Sequence, residues 1–332
     1  MELDHHQQEQ YQEQYQDQQL RPQNFSDFIG QQNTVENLNL MLQSAQMENR
    51  PIDHILFAGP PGLGKTSLSM IVSSLQKGRV HLTTGPALTK KSDLASIVAS
   101  LGSCDVLFID EIHRLNLPIE EMLYSVMEDF RLDIILGQGT SARVMPMPVA
   151  PFTLIGATTK LGQISTPLRE RFIGQYQFAF YTPFELKIII QKNALKLKVN
   201  LSEESLDLLA SCARGTPRVA NRILRRVRDF VVVNKLKEVH LPHVKEVLRL
   251  LELGEQGLQR MDQKILFYMG DVLQGRPVGL EALASYLSED KQTIEDVYEP
   301  YLMQIGFIAR TPRGRVLTEE GKKYLRRISL KS

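Results

Sequence analysis

The octapeptide Gly59-Pro60-Pro61-Gly62-Leu63-Gly64-Lys65-Thr66 follows the pattern G-x-x-x-x-G-K-[ST], and its flanks give that pattern physical meaning. An apolar run, His54 to Ala58, precedes it, and a helix-compatible segment, Ser67 to Leu75, follows it. Strand, glycine loop and helix in that order build a phosphate site. Glycines such as Gly62 and Gly64 let backbone N–H groups face the phosphates, and a helix N-terminus at Ser67 adds partial positive charge. Lys65 is then expected against the β- and γ-phosphates of ATP, with the Thr66 hydroxyl on Mg²⁺.

Asp110 and Glu111 follow a second apolar run, Cys104 to Ile109, downstream of the loop. An acid in that place holds Mg²⁺, usually through water. The next one, Glu111, can polarise a water for in-line attack on the γ-phosphate, so hydrolysis is expected rather than binding alone. Thr158 closes a third run, Phe152 to Ala157, and is placed to orient the γ-phosphate or the attacking water. Arg171, in Leu168-Arg169-Glu170-Arg171-Phe172, lies beyond the sheet strands on an expected surface. An arginine supplied in trans stabilises phosphoryl charge by about 10³–10⁵ in rate, and that role requires a neighbouring subunit. In Gly215-Thr216-Pro217-Arg218, Thr216 suits a helix cap and Pro217 a first turn. Arg218 is then positioned to reach phosphate from a second domain and to report nucleotide as a lid movement.

These groups need elements to position them. Apolar strands alternate with amphipathic helices over residues 30–180, which argues a parallel sheet with active groups at the strands' carboxyl ends. Leu132 to Val149 reads as an inserted hairpin, with Ile134-Ile135-Leu136 running into Gly137-Gln138-Gly139. From Pro183 the pattern is helical. Leu186, Ile189 and Ile190 share one face, and Leu206, Leu209 and Ala210 another. After a glycine-containing break at Gly254 to Gly257, short helices are expected from Asp262, Leu280 and Thr293. Phe307 to Arg310 and Arg315 to Leu317 read as strands around Thr311-Pro312-Arg313-Gly314, completing a winged helix. The expected fold class is α/β: a P-loop parallel-sheet domain over residues 20–181, a small helical lid over 182–254 and a C-terminal winged helix over 255–332.

No apolar run approaches the ~18 residues of a membrane span. The N-terminus is polar, and Cys104 and Cys212 make neither metal spacing nor a disulfide framework, so a cytoplasmic protein is expected. A net charge of +1 hides two basic runs. Arg214 to Arg228 holds six arginines and no acid, and Arg310 to Arg327 holds seven Lys or Arg against two Glu. Residues 1–19 carry eight glutamines and almost no aliphatics, a composition expected to be disordered.

Taken in order, GPPGLGKT, FIDEIHR, GATT, LRERF and GTPR resemble the AAA+ ATPases. The resemblance narrows to the RuvB family of Holliday-junction branch-migration motors. It is carried by Leu20-Arg21-Pro22, Phe28-Ile29-Gly30-Gln31, Met127-Glu128-Asp129, Glu299-Pro300-Tyr301-Leu302 and Arg310 to Arg315, and runs from Leu20 onward. It implies ATP hydrolysis coupled to translocation of a homohexamer on duplex DNA, with ATP and Mg²⁺ as cofactors. Lys65 and Thr66 match the Walker A pair, Asp110 and Glu111 Walker B, Thr158 the first sensor, Arg171 the arginine finger and Arg218 the second sensor. Leu20, Arg21, Phe28, Ile29, Tyr181 and Pro217 match positions that enclose adenine and ribose. Arg310, Arg313 and Arg315 match a wing that grips the DNA backbone without reading its sequence. Ile134, Ile135 and Leu136 match the surface that docks a RuvA-like junction-binding protein, and a RuvC-like resolvase is implied in a larger complex. Arg171-Phe172-Ile173-Gly174 departs from the family's Arg-Phe-Gly-Ile order, and Phe28 stands where tyrosine is common.

A rival class is an ATP switch that loads a clamp or regulates transcription. Clamp loaders carry a helical collar where this chain has a wing. A winged-helix repressor would need sequence-specific DNA binding.

Overall fold

The computed structural model describes residues 19–136 and 143–329. The expected disordered tail up to residue 18, the hairpin tip at Gly137-Gln138-Gly139 and the side chains of Ile134, Ile135 and Leu136 lie outside what is described. The chain forms two compact units that divide between Tyr181 and Thr182. No helix among the described residues is long and apolar enough to cross a membrane.

The first unit contains β1 (Ile55–Ala58), β2 (Val80–Thr84), β3 (Val106–Asp110), β4 (Arg131–Leu136), β5 (Arg143–Pro148), β6 (Thr153–Thr158) and β7 (Gly174–Gln177). Five of these make one parallel sheet in the order β2-β3-β6-β1-β7, and β4 and β5 pair as an antiparallel hairpin. Every residue of β1 and β6 is buried, as expected for strands covered on both faces. Leu56, Leu107, Ile109 and Leu154 share one core with Leu123 and Val126 of the helix Leu117–Asp129. The register sets Ala58 beside Thr158 and Thr84 beside Asp110, so the carboxyl ends of the central strands share one edge. The strand expected from Cys104 begins instead at Val106. Cys104 takes a left-handed backbone conformation (φ 65°), and the Asp105 carboxylate accepts the N–H groups of Arg79 (2.7 Å) and Gly102 (2.9 Å), fixing a turn.

The second unit opens with the helix Pro183–Lys196, capped reciprocally: Glu185 accepts the Thr182 N–H (2.7 Å) and Thr182 the Glu185 N–H (3.3 Å). Glu203–Cys212, Pro217–Asn234 and Leu241–Leu250 complete its helical part. Leu186 and Ile190 are buried, whereas Ile189 is half-buried. The winged part then follows. The helix Arg260–Phe267 widens into a π turn at Tyr268–Val272, and Leu280–Leu287 comes next. Lys291–Thr293 continues through a second π turn into Glu299–Gln304. Strands β8 (Ile308–Thr311) and β9 (Gly314–Leu317) form the wing, with Val278 bridging to Arg315 as a third edge. A last amphipathic helix, Glu319–Ser329, occupies the end of the second basic run. Tyr324 anchors it, while Lys322 and Lys323 pair with Glu319 and Glu320 one turn earlier.

Candidate active site

The phosphate loop joins β1 to the helix Lys65–Leu75. Gly64 caps that helix at φ 99°, a left-handed conformation that side chains resist. A Cβ added there would stand 3.0 Å from Phe28 Cζ. The Tyr181 hydroxyl donates to the Leu63 carbonyl at 3.1 Å, so Phe28 and Tyr181 wall the loop. Leu20 is buried, Ile29 half-buried, and Arg21 reaches the Met70 sulfur on the same helix at 3.2 Å. Lys65 folds back so that Nζ donates to the carbonyls of Gly59 (2.7 Å) and Pro60 (2.9 Å). Gly62, Thr66 and Ser67 are all half-buried.

Asp110 ends β3, and its carboxylate accepts the Glu111 N–H at 3.0 Å. Glu111 turns the chain through φ 50° and ψ 43°. Gly85 packs so tightly on this turn that a Cβ would meet the Glu111 carbonyl oxygen at 2.4 Å. Glu111 Oε2 lies 3.3 Å from both the Thr159 hydroxyl and His113 Nε2. Thr158 is fully buried; its hydroxyl accepts the Lys160 N–H and lies 2.9 Å from His113 Nδ1. The Thr158 carbonyl accepts the N–H of Gly59 at 3.0 Å, joining β6 to the start of the phosphate loop. The structure thus brings Thr158, Thr159 and Glu111 together, with His113 between them. His113 escaped the sequence reading, since nothing in Ile112-His113-Arg114 marks which way the imidazole points.

Arg171 lies just past the short helix Thr166–Glu170 and is less open than a surface position would suggest. Its guanidinium is 4.4 Å from the Tyr124 ring centre, 3.0 Å from the Glu128 carboxylate, and donates to the Pro167 carbonyl at 2.7 Å. Its buried Nε has no partner among the described residues. The reversed Ile173-Gly174 order leaves Ile173 exposed and sets Gly174 opposite Ile55 at the start of β7.

In the second unit, the Thr216 hydroxyl accepts the Val219 N–H, Pro217 opens the helix, and Arg218 is exposed in its first turn. In the wing, Glu299 is completely buried and binds two arginines. Arg315 Nε is 2.6 Å from its Oε1, and Arg310 Nε is 3.0 Å from its Oε2. Glu295 adds a second carboxylate 3.0 Å from Arg310. Arg313, at the tip, is exposed. The three wing arginines therefore differ: Arg315 is largely sequestered, Arg310 half-engaged and Arg313 presented to solvent.

Comparison with known proteins agrees along the chain. Residues 20–178 match a family model described as the Holliday junction DNA helicase RuvB P-loop domain. Residues 181–254 match the RuvB AAA lid domain, and residues 255–326 the RuvB C-terminal winged helix domain. The chain is 47% identical over 306 residues to the Holliday junction branch migration complex subunit RuvB of Kosmotoga olearia, covering 92% of this chain and 90% of that one. It is 46% identical to the Thermotoga maritima protein of the same description, with 92% of each covered. A solved structure of the Thermotoga maritima RuvB Holliday junction branch migration motor superposes with a TM-score of 0.83 at 44% identity, covering 93% of this chain and 98% of that one. Variants of that protein have been solved with a lysine, an alanine, a threonine, an arginine or a proline replaced. The spacing of those positions is that of Lys65, Ala157, Thr159, Arg171 and Pro217 here.

Proposed function

We propose a function from a plain premise: this chain belongs to the RuvB family of Holliday junction branch migration subunits. It binds ATP and hydrolyses it as an AAA+ motor that drives branch migration of four-way DNA junctions, in a complex with other proteins and DNA. The observation that carries the catalytic reading is the shared sheet edge, where the Lys65 loop, Asp110-Glu111 and Thr158-Thr159 meet at the ends of β1, β3 and β6.

The Lys65 ammonium exchanges the Gly59 and Pro60 carbonyls for the β- and γ-phosphates. Phe28 and Tyr181, with Leu20, Arg21 and Ile29, enclose the base and ribose. The Thr66 hydroxyl and the Asp110 carboxylate are hard oxygen donors that suit Mg²⁺, which neutralises phosphate charge when bound. Glu111 accepts a proton from the attacking water. The γ-phosphate contact falls to Thr159 rather than Thr158, because the Thr158 hydroxyl is buried and engaged with His113 and Lys160 while Thr159 already reaches Glu111.

Arg171 serves the site of the next protomer in a hexameric ring, and Arg218 carries the nucleotide state to the lid. Arg313 and Arg310 touch DNA phosphates, with Arg315 shaping the wing, so translocation is insensitive to base sequence. The β4–β5 hairpin carrying Ile134, Ile135 and Leu136 docks a RuvA-like junction-binding protein, with a RuvC-like resolvase in the larger assembly, in the cytoplasm. The test is ATP-dependent dissociation of a synthetic four-way junction with the cognate RuvA-like protein present. Dissociation that vanishes in Glu111→Gln supports the motor. ATPase activity and DNA binding without dissociation would favour a loader or switch.

A further inference from the structure

We infer that His113 is a positioning residue for Glu111, tying the catalytic carboxylate to the buried hydroxyl of Thr158 at the end of β6. The inference rests on Glu111 being the water-activating base.

The donors and acceptors run in one direction. The Thr158 hydroxyl oxygen accepts the Lys160 N–H at 2.9 Å, and a backbone amide can only donate. The same hydroxyl has a proton to give, and His113 Nδ1 lies 2.9 Å away to accept it. A neutral imidazole that accepts at Nδ1 carries its proton on Nε2. Nε2 faces Glu111 Oε2 at 3.3 Å, and an ionised carboxylate can only accept. The relay thus starts on a backbone amide and ends on the catalytic oxygen.

Burial falls along the same path. Thr158 is 0% exposed, the His113 side chain 5% and the Glu111 side chain 35%. A partly solvated carboxylate is therefore referenced to a fully buried strand. That strand also holds the phosphate loop, because the Thr158 carbonyl accepts the Gly59 N–H. One residue fixes where the phosphates lie with its backbone and where the base lies with its side chain. The Thr159 hydroxyl donates to the same oxygen, Oε2, at 3.3 Å. Two donors on Oε2 leave Oε1 to meet the attacking water. Misplacing a reacting group by about 1 Å costs up to ~10²-fold in rate, which sets the scale of the effect.

The experiment measures steady-state ATP turnover by the full-length protein, and binding of a methylanthraniloyl-labelled ATP, for Glu111→Gln, His113→Leu, His113→Gln, Thr158→Val and the His113→Leu/Thr158→Val pair. We expect kcat to fall roughly tenfold to a hundredfold in His113→Leu and Thr158→Val, with nucleotide affinity unchanged. His113→Gln recovers much of that loss, because its amide accepts at one end and donates at the other. The double variant is no slower than the slower single one, since both break one relay. Wild-type kcat in His113→Leu overturns the inference, as does a Gln variant no faster than Leu or a loss confined to KM, provided Glu111→Gln is inactive. Turnover surviving in Glu111→Gln would instead remove the base assignment itself. Should Thr158→Val fail to fold, the contrast between Leu and Gln at position 113 still decides.

Discussion

Arg214 donates to the completely buried carboxylate of Asp262, and its guanidinium lies 4.2 Å from the centre of the Tyr301 ring. Asp262 also accepts the Gln259 N–H at 2.7 Å, while Arg214 reaches the Gly257 carbonyl. The loop leading to Thr216 and Arg218 is thereby fastened to the first helix of the winged fold within one compact unit. Burial of the pair makes each charge dependent on the other.

Removing one partner strands the other charge, so Asp262→Ala should cost about 3–5 kcal/mol. Urea unfolding followed by circular dichroism measures it. The paired apolar change, Arg214→Met with Asp262→Leu, should recover most of the loss. A double variant as unstable as the single one would show that packing, not charge, governs this joint.

Gly64 combines a left-handed backbone with a Cβ position only 3.0 Å from Phe28. Strain at such a residue is of order 1–3 kcal/mol, so Gly64→Ala should weaken nucleotide binding roughly tenfold to a hundredfold. Titration with a fluorescent ATP analogue reads this directly. Unchanged affinity would mean that the loop relaxes without disturbing the site.

His54 is buried between β6 and the helix Leu117–Asp129. Its Nδ1 accepts the Leu154 N–H (2.9 Å), and its Nε2 lies 3.1 Å from the Met127 carbonyl. Burial holds its pKa below the ordinary 6.5. The unfolded chain therefore takes up the proton first as pH falls. His54 contributes its full stability above about pH 6.5 and loses it progressively as pH drops toward the native pKa. The melting temperature should fall between about pH 7 and pH 5.5, and His54→Asn, less stable overall, should flatten that slope. An identical slope in the variant would assign the acid sensitivity elsewhere.

The wing arginines should separate in DNA binding. With the tip on one phosphate, as proposed, Arg313→Ala should make the plot of log K against log salt shallower by about 0.9, with unfolding unaffected. Arg315→Ala leaves the buried Glu299 short of a partner and should lower the stability of the winged fold as well. Equal salt slopes in wild type and Arg313→Ala would remove the tip from the DNA contact.

GPPGLGKT, Asp110-Glu111 and the apolar runs before them were readable along the chain because loop, helix start and strand end are contiguous there. Covalent spacing alone places Lys65 at a helix N-terminus and Glu111 past a strand. The winged helix was legible for a similar reason: helix-period runs and a Pro-Arg-Gly turn each span a few residues. Other relationships came only from the fold. Which of Thr158 and Thr159 faces Glu111 depends on the register of β3 against β6, which sets Ile109 beside Gly156, and a slip of one residue would exchange the two. Glu128 and Tyr124 against Arg171, Asp262 against Arg214, and Glu299 beneath the wing are contacts between separate elements. An arginine run reads as one basic surface until packing removes some of its members. The chemistry available and the elements that carry it are written along the chain, because both follow from sequence neighbours. Tertiary structure decided which of those groups are free to act, because burial and hydrogen-bond direction arise only when distant segments meet.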